Sequence, residues 1–169
     1  YRLATSFFQL ALAHNRHALD YAKGRNLTKE TLQEFKIGYS PDTKEALVLA
    51  LEKKGFTRAE IVQAGLTNRF GGDLFRGRLM IPLSDQTGQT IGFTGRGLEA
   101  EATPKYLNTP STLLYDKSRH VFALAQAKEA IRKSKYAVMA EGNLDVIASH
   151  QAGVRQVVAT AGTALTEWQ

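Results

Sequence analysis

Two carboxylates four residues apart, Glu141 and Asp145, follow a short apolar run in the segment YAVMAEGNLDVIASHQAGVRQVVAT. Oxygen donors grouped in this way suit a hard divalent cation such as Mg²⁺, or a general acid/base role. A structural turn is the competing account of Glu141. Asp145 falls in the first turn of the helix that follows, where the dipole alone favours an acid. A second group of residues is cationic. Arg76, Arg78 and Arg96 lie in RGRLMIPLSDQTGQTIGFTGRG, and Lys105 and Lys117 lie in TPKYLNTPSTLLYDKS with Tyr106 and Asn108 between them. Cations interleaved with an aromatic residue suit phosphates and a stacked base. Ordinary solvated arginines and a surface loop punctuated by Pro104 and Pro110 are the alternatives.

The elements that must position these groups follow from hydrophobic period. YAVMA and VRQVVAT read as apolar strands, and NLDVIASHQAG as a helix between them, closed by Gly153, with Leu144, Ile147 and Ala148 inward. Strand, helix, strand with little alternation is a parallel unit buried on both faces. Ligands bind beyond the carboxyl ends of such strands. Glu141 ends the first strand, Thr160, Ala161 and Gly162 end the second, and Gly142 permits a tight turn. A helix from Ser118 to Arg132 precedes the unit. Upstream, Leu79, Ile81 and Leu83, then Ile91 and Phe93, alternate with other residues across the turn DQTG, which makes a hairpin. The alternation places Arg76, Arg78 and Arg96 off its apolar face, where they could share one basic surface.

Residues 1 to about 66 read as short amphipathic helices. Phe7, Leu10, Ala11 and Ala18 recur at helical spacing, with Gly24 as a stop. Thr28 caps KETLQEF, Asp42 or Thr43 starts KEALVLALEKKG, and Thr57 with Glu60 has the spacing of a capping box. TALTEWQ reads as the start of a further helix. Tyr1 enters directly into a helical pattern, so the expectation is a fragment of something longer.

Composition narrows the class. Of 169 residues, 43% are hydrophobic and 22% charged, the balance of a globular protein. No apolar stretch approaches a membrane span and no signal peptide is visible. There is no cysteine, which excludes disulfides and cysteine-ligated zinc in this chain. A net charge of +6 and a pI near 9.6 suit a polyanionic partner, and equally a surface that is merely basic. TGRG lacks the strand-to-helix context of a dinucleotide fingerprint. His14 and His17 share a helix face without a third ligand. No Ser-His-Asp or P-loop pattern is present.

AEGNLDVIASHQAGVRQVVATAGTAL resembles the opening of a TOPRIM fold, the α/β module of bacterial primases and topoisomerases. NLTKETLQEFKIGYSPD, FRGRLMIPLSDQTGQTIGFTGRGL, TPKYLNTPSTLLYDKSRHVFAL and EGNLDVIASHQAGV stand in the order and spacing of the bacterial DnaG-type replicative primase. The resemblance implies an α+β chain with a partial α/β TOPRIM. A basic subdomain of the RNA polymerase domain spans 1–134, and an incomplete parallel βαβ unit spans 135–169. It implies a cytoplasmic protein whose parent makes short RNA primers on single-stranded DNA, from nucleoside triphosphates with Mg²⁺ or Mn²⁺.

By the same resemblance, Glu141 is the TOPRIM glutamate for metal or acid/base work, and Asp145 the second acid near it. Arg76, Arg78, Arg96, Lys105, Tyr106, Asn108 and Lys117 line the template and nucleotide groove. Asparagine at 143 and ATAGTALT at 159–166 depart from the commoner aromatic residue and serine-leucine-glycine run. A later acidic DxD motif, a zinc domain and a helicase-interacting domain are not in this chain. A TOPRIM nuclease or topoisomerase-like protein, or a nucleic-acid-binding piece without activity, are the rival readings.

Overall fold

In the computed structural model, residues 1–160 and 165–169 are described. The expected Ala161 and Gly162 at the second strand's end lie outside them. The chain begins with α1 (Arg2–Ala13) and α2 (Arg16–Gly24), two helices where one pattern was read. The break falls at Asn15, whose side chain accepts from the Ala18 N–H at 2.9 Å and caps α2. His14 is therefore the C-cap of α1 while His17 lies in α2, facing Glu99 at 3.6 Å. In α1 the buried face is Ala4, Phe8 and Leu12, one turn apart, whereas Leu10 is largely exposed. Gly24 is not the left-handed stop; Asn26 takes that conformation, with φ 58°.

Next come α3 (Lys29–Glu34), capped by Thr28, then β1 (Gly38–Ser40), α4 (Ala46–Glu52) and α5 (Arg58–Gln63). The capping box of Thr57 and Glu60 on α5 is present. Helix α4 starts later than Asp42 or Thr43, and neither caps it. Its N–H groups at Leu47 and Val48 donate at 2.9 and 3.0 Å to the buried carboxylate of Asp73, 26 and 25 residues downstream. No local pattern could have revealed this cap.

The hairpin is β2 (Arg78–Ser84) and β3 (Thr90–Gly97), extended by β1 and by β4 (Tyr106–Asn108) into an antiparallel sheet of order β1-β2-β3-β4. The sheet is buried on both faces. Leu79, Ile81 and Leu83 enter one apolar cluster, and Met80 and Phe93 enter another with Phe8, Leu47, Val48 and Phe75. This corrects the expected division into an apolar and a basic face. Arg78 lies on the Met80 side. Arg96 pairs across the ladder with Leu79 and so faces the other way. Both arginines are buried.

A one-turn 3₁₀ helix (Lys117–Arg119) and β5 (Val121–Phe122) replace the first turns of the expected helix. Helix α6 (Leu124–Ser134) starts only after them. Then follow β6 (Val138–Ala140), α7 (Asn143–Gln151) and β7 (Val157–Thr160). Strands β6 and β7 are parallel, as read, but β5 adds an antiparallel partner, giving the order β5-β7-β6. Only β7 is buried. Val138 and Met139 on β6 are exposed, because β6 has a strand on one side only among the described residues. In α7 the inward residues are Val146, Ile147 and His150; Ala148 is exposed. Residues 165–169 form a turn instead of a helix, held by the Gln169 amide donating to the His120 carbonyl at 2.8 Å.

The two sheets share one core. Leu79, Ile81 and Leu83 cluster with Phe35, Phe122, Val146, Ile147, Val157 and Ala159. At the edge of this seam the Gln151 side chain accepts from Thr28 N–H at 3.0 Å and the Thr31 hydroxyl at 2.6 Å. It donates to the Asn26 carbonyl at 2.7 Å. Arg155 pairs with Glu34 beside it.

Two predictions follow from burial. Asp73→Ala removes both acceptors of the α4 N-terminus and should cost about 2 kcal/mol of stability, measured by urea unfolding. An unchanged midpoint would show that α4 needs no such cap. His120 is buried, and burial pushes its pKa down to about 4. The unfolded chain then binds a proton that the folded chain refuses between about pH 6.5 and 4. Stability should therefore fall as pH drops through that window, by at most about 1.4 kcal/mol per pH unit from one proton. Burial raises Asp73, which acts in the opposite sense. The comparison is therefore wild type against His120→Phe, which should flatten the slope. Parallel pH curves would exclude His120 as its source.

Candidate nucleic-acid and nucleotide interface

Glu141 follows the last residue of β6, and Asp145 sits in the first turn of α7. Both are exposed. Gly142 between them has an ordinary extended φ of −119°, so the reason for glycine is not a special turn. A Cβ there would come within 2.8 Å of an Asp145 carboxylate oxygen. Glycine lets that carboxylate lie back against the strand–helix junction.

Both acids line a cleft of about 340 Å³. Gly142, Asn143 and Thr160 complete its acidic side. The opposite wall is the first sheet, through Leu83, Thr94, Tyr106 and Asn108, with His120 and Phe122 also lining it. The β3–β4 register explains this wall. Thr94 pairs with Asn108 and Arg96 with Tyr106, all on the Leu79–Leu83 face. That face packs toward the sheet carrying the acids. The residues expected to hold a nucleotide, Tyr106 and Asn108, thus share one cavity with Glu141 and Asp145.

Arg96 stands behind this wall. Its Nε donates to the Tyr21 hydroxyl at 2.5 Å, and a terminal nitrogen donates to the Tyr106 hydroxyl. Its guanidinium carbon lies 5.0 Å from the Tyr106 ring centroid. Arg96 fixes Tyr106, which remains about two-fifths exposed and offers a ring face.

Arg78, on the other face, donates to the carbonyls of Gly95 at 3.2 Å and Lys105 at 3.4 Å. Burial pushes its pKa down, yet guanidinium stays charged. Among the described residues no carboxylate pairs with it. Arg76 is half exposed and paired with Asp42 at 3.0 Å. Lys105 is exposed next to Tyr106, and Lys117 is partly buried on the 3₁₀ turn before β5. The cleft lining gathers Tyr106, Asn108, Glu141 and Asp145, with Arg96 reaching it only through Tyr106, and leaves Arg76, Arg78, Lys105 and Lys117 outside.

Thr94, His120 and Asn143 also line the cleft and were not singled out as binding groups. Asn143 was noted only as a departure. His120 was hidden because β5, which it precedes, is two residues long and carries no periodic signal. Of the other cavities, one of about 770 Å³ also reaches His120 and is lined by Asp85, Asp116, Arg119 and Trp168 as well. One of about 290 Å³ between α1 and α5 is lined mainly by Leu3, Leu51, Phe56, Ile61 and Leu66. Among the described residues, no group of three or more His, Asp or Glu side chains could hold a metal ion. Glu141 and Asp145 bring two carboxylates to the cleft, one side chain short of such a group.

Comparison with known proteins agrees with this architecture. The chain is 40% identical to a DNA primase of Geobacillus stearothermophilus, over 99% of its own length and 29% of that protein's. It therefore spans under a third of that relative. The RNA polymerase domain of Mycobacterium tuberculosis primase DnaG superposes with a TM-score of 0.91 at 36% identity, covering 99% of this chain and 56% of that one. A DnaG primase catalytic domain bound to single-stranded DNA gives 0.85 at 33% identity, covering 97% and 53%. Residues 7–128 match the sequence profile described as DNA primase catalytic core, N-terminal domain, and the chain belongs to that family.

Proposed function

We propose that the chain supplies part of the active site of a DNA primase, which makes short RNA primers on single-stranded DNA by metal-dependent nucleotidyl transfer. The observation that carries this reading is the shared cleft. Acids for metal and proton work face an aromatic and an amide suited to a nucleotide across a few side chains. Residues 1–134 form the basic template-binding subdomain, and residues 135–169 the start of a TOPRIM fold.

In this reading Tyr106 stacks a base and Asn108 contacts the same nucleotide. Arg96 holds Tyr106 in place. Lys105, beside it, neutralises phosphate, and Lys117, Arg76 and Arg78 extend the positive field that draws the template. Glu141, with Asp145, holds Mg²⁺ or Mn²⁺. The ion, when bound, neutralises charge on the transferring phosphate and lowers the pKa of the attacking hydroxyl. Single-stranded DNA, nucleoside triphosphates and the growing primer are the partners, and the cytoplasm is the site of action. Zinc and the replicative helicase belong to domains outside this chain. The capture of a related catalytic domain with single-stranded DNA supports the template assignment.

Glu141→Gln in a full-length primase carrying this chain should lower primer synthesis at least about 100-fold while the melting temperature is kept. Primer yield equal to wild type would remove Glu141 from the chemistry. In the same assay the 169-residue chain alone, with two acids, should bind template without making primer; robust synthesis would show that Glu141 and Asp145 suffice.

Lys105→Ala tests the track. Its exposure makes it a cleaner probe than buried Arg96 or Arg78, which hydrogen-bond within the sheet and its neighbours. Affinity for single-stranded DNA should drop similarly for all sequences, and the slope of log affinity against log salt should shrink by about 1. An unchanged slope would place Lys105 away from phosphate.

A further inference from the structure

The cleft holds a polar group that the proposed chemistry leaves unused. His120 is 5% exposed, and its Nε2 is buried without a hydrogen-bond partner among the described residues. Buried polar atoms without partners are uncommon and costly. The ring is also held in place. Tyr115 packs edge-on against it at 5.5 Å, and the His120 carbonyl is tied to Gln169. A fixed polar ring with an unmet bond, lining the cleft of Glu141, Asp145, Tyr106 and Asn108, is preorganised for a ligand group.

Three kinds of ligand group come into question. A metal ion is disfavoured, since His120 forms no three-ligand group with the acids or any other described side chain. A phosphate is disfavoured too. Burial holds the imidazole pKa at about 4, so near pH 7 the ring is neutral and adds no positive charge. A neutral imidazole has one donor and one acceptor nitrogen, which matches a hydroxyl or a base edge. Template-directed synthesis must accept all four bases, whose edges differ. The sugar is the neutral polar part they share, and its 2′-hydroxyl separates RNA from DNA.

We propose that His120 is a specificity-determining residue that pairs with a ribose hydroxyl of the nucleotide in this cleft and so favours ribonucleotides over deoxyribonucleotides. The inference rests on the proposed function. It names the sugar as the feature selected, and a buried hydrogen-bonding group as the selector. Such a site rejects a ligand lacking the hydroxyl because the buried nitrogen is then left unpaired.

The test is incorporation of nucleoside triphosphates against their 2′-deoxy analogues by a full-length primase carrying this chain. Wild type should prefer the ribonucleotides. His120→Ala should lower that preference about 10- to 100-fold, through a fall in ribonucleotide kcat/KM with little change for the deoxy substrate. His120→Gln, which keeps a donor and an acceptor, should retain most of the preference. An unchanged ratio in His120→Ala overturns the proposal. So does an equal fall for both substrates, which is what a packing defect produces. A wild-type protein that makes no primer defeats the proposed function and this inference together. One that makes primer while the ratio ignores His120 defeats the inference alone.

Discussion

The β2–β3 ladder is covered on both faces, and that double burial is the constraint on which the other elements depend. One face is closed by α1, α4 and the Phe75 segment, the other by α3, β5, α7 and β7. A two-sided sheet cannot leave either layer free, because each exposes a wide apolar surface if its cover departs. The approach is close enough to dictate residue type. A Cβ on Gly38 in β1 would stand 2.5 Å from the Phe8 backbone of α1. The acid-bearing layer is therefore placed by the Leu79–Ile81–Leu83 surface, and the width of the cleft is a packing dimension.

Charge is arranged around the same ladder. Arg78 and Arg96 are separated by the sheet itself, and each spends its donors on neutral oxygens: carbonyls for Arg78, tyrosine hydroxyls for Arg96. Neither has a carboxylate partner among the described residues, so their charge is not cancelled inside the protein. The surface acids that do pair, such as Asp42 and Glu34, quench Arg76 and Arg155 instead. The net positive field that composition announces thus comes partly from buried, immobile guanidinium groups.

Much of this was legible in the sequence. The hairpin, the capping box at Thr57, the parallel strand–helix–strand and the acids at its edge are local or periodic signals. Tyr106 and Asn108 were recognised as residues, but β4 was not, since three residues beside two prolines give no period. The face of Arg96 was misread because alternation was taken to separate core from solvent. In a sheet buried twice, alternation separates one core from another. Asp73 and Gln151 act across 25 or more residues, and nothing local marks such partners.

Gln151 has a mechanical consequence. It lies at the end of α7 opposite to Asp145, and its three hydrogen bonds fasten that end to the α3 region. The acidic end is held as well, because Val146 and Ile147, next to Asp145, are fully buried in the core. Fixed at both ends, the helix is a strut about 13 Å long at 1.5 Å per residue. The amide clasp, remote from any reacting atom, keeps the carboxylate from sliding along the seam.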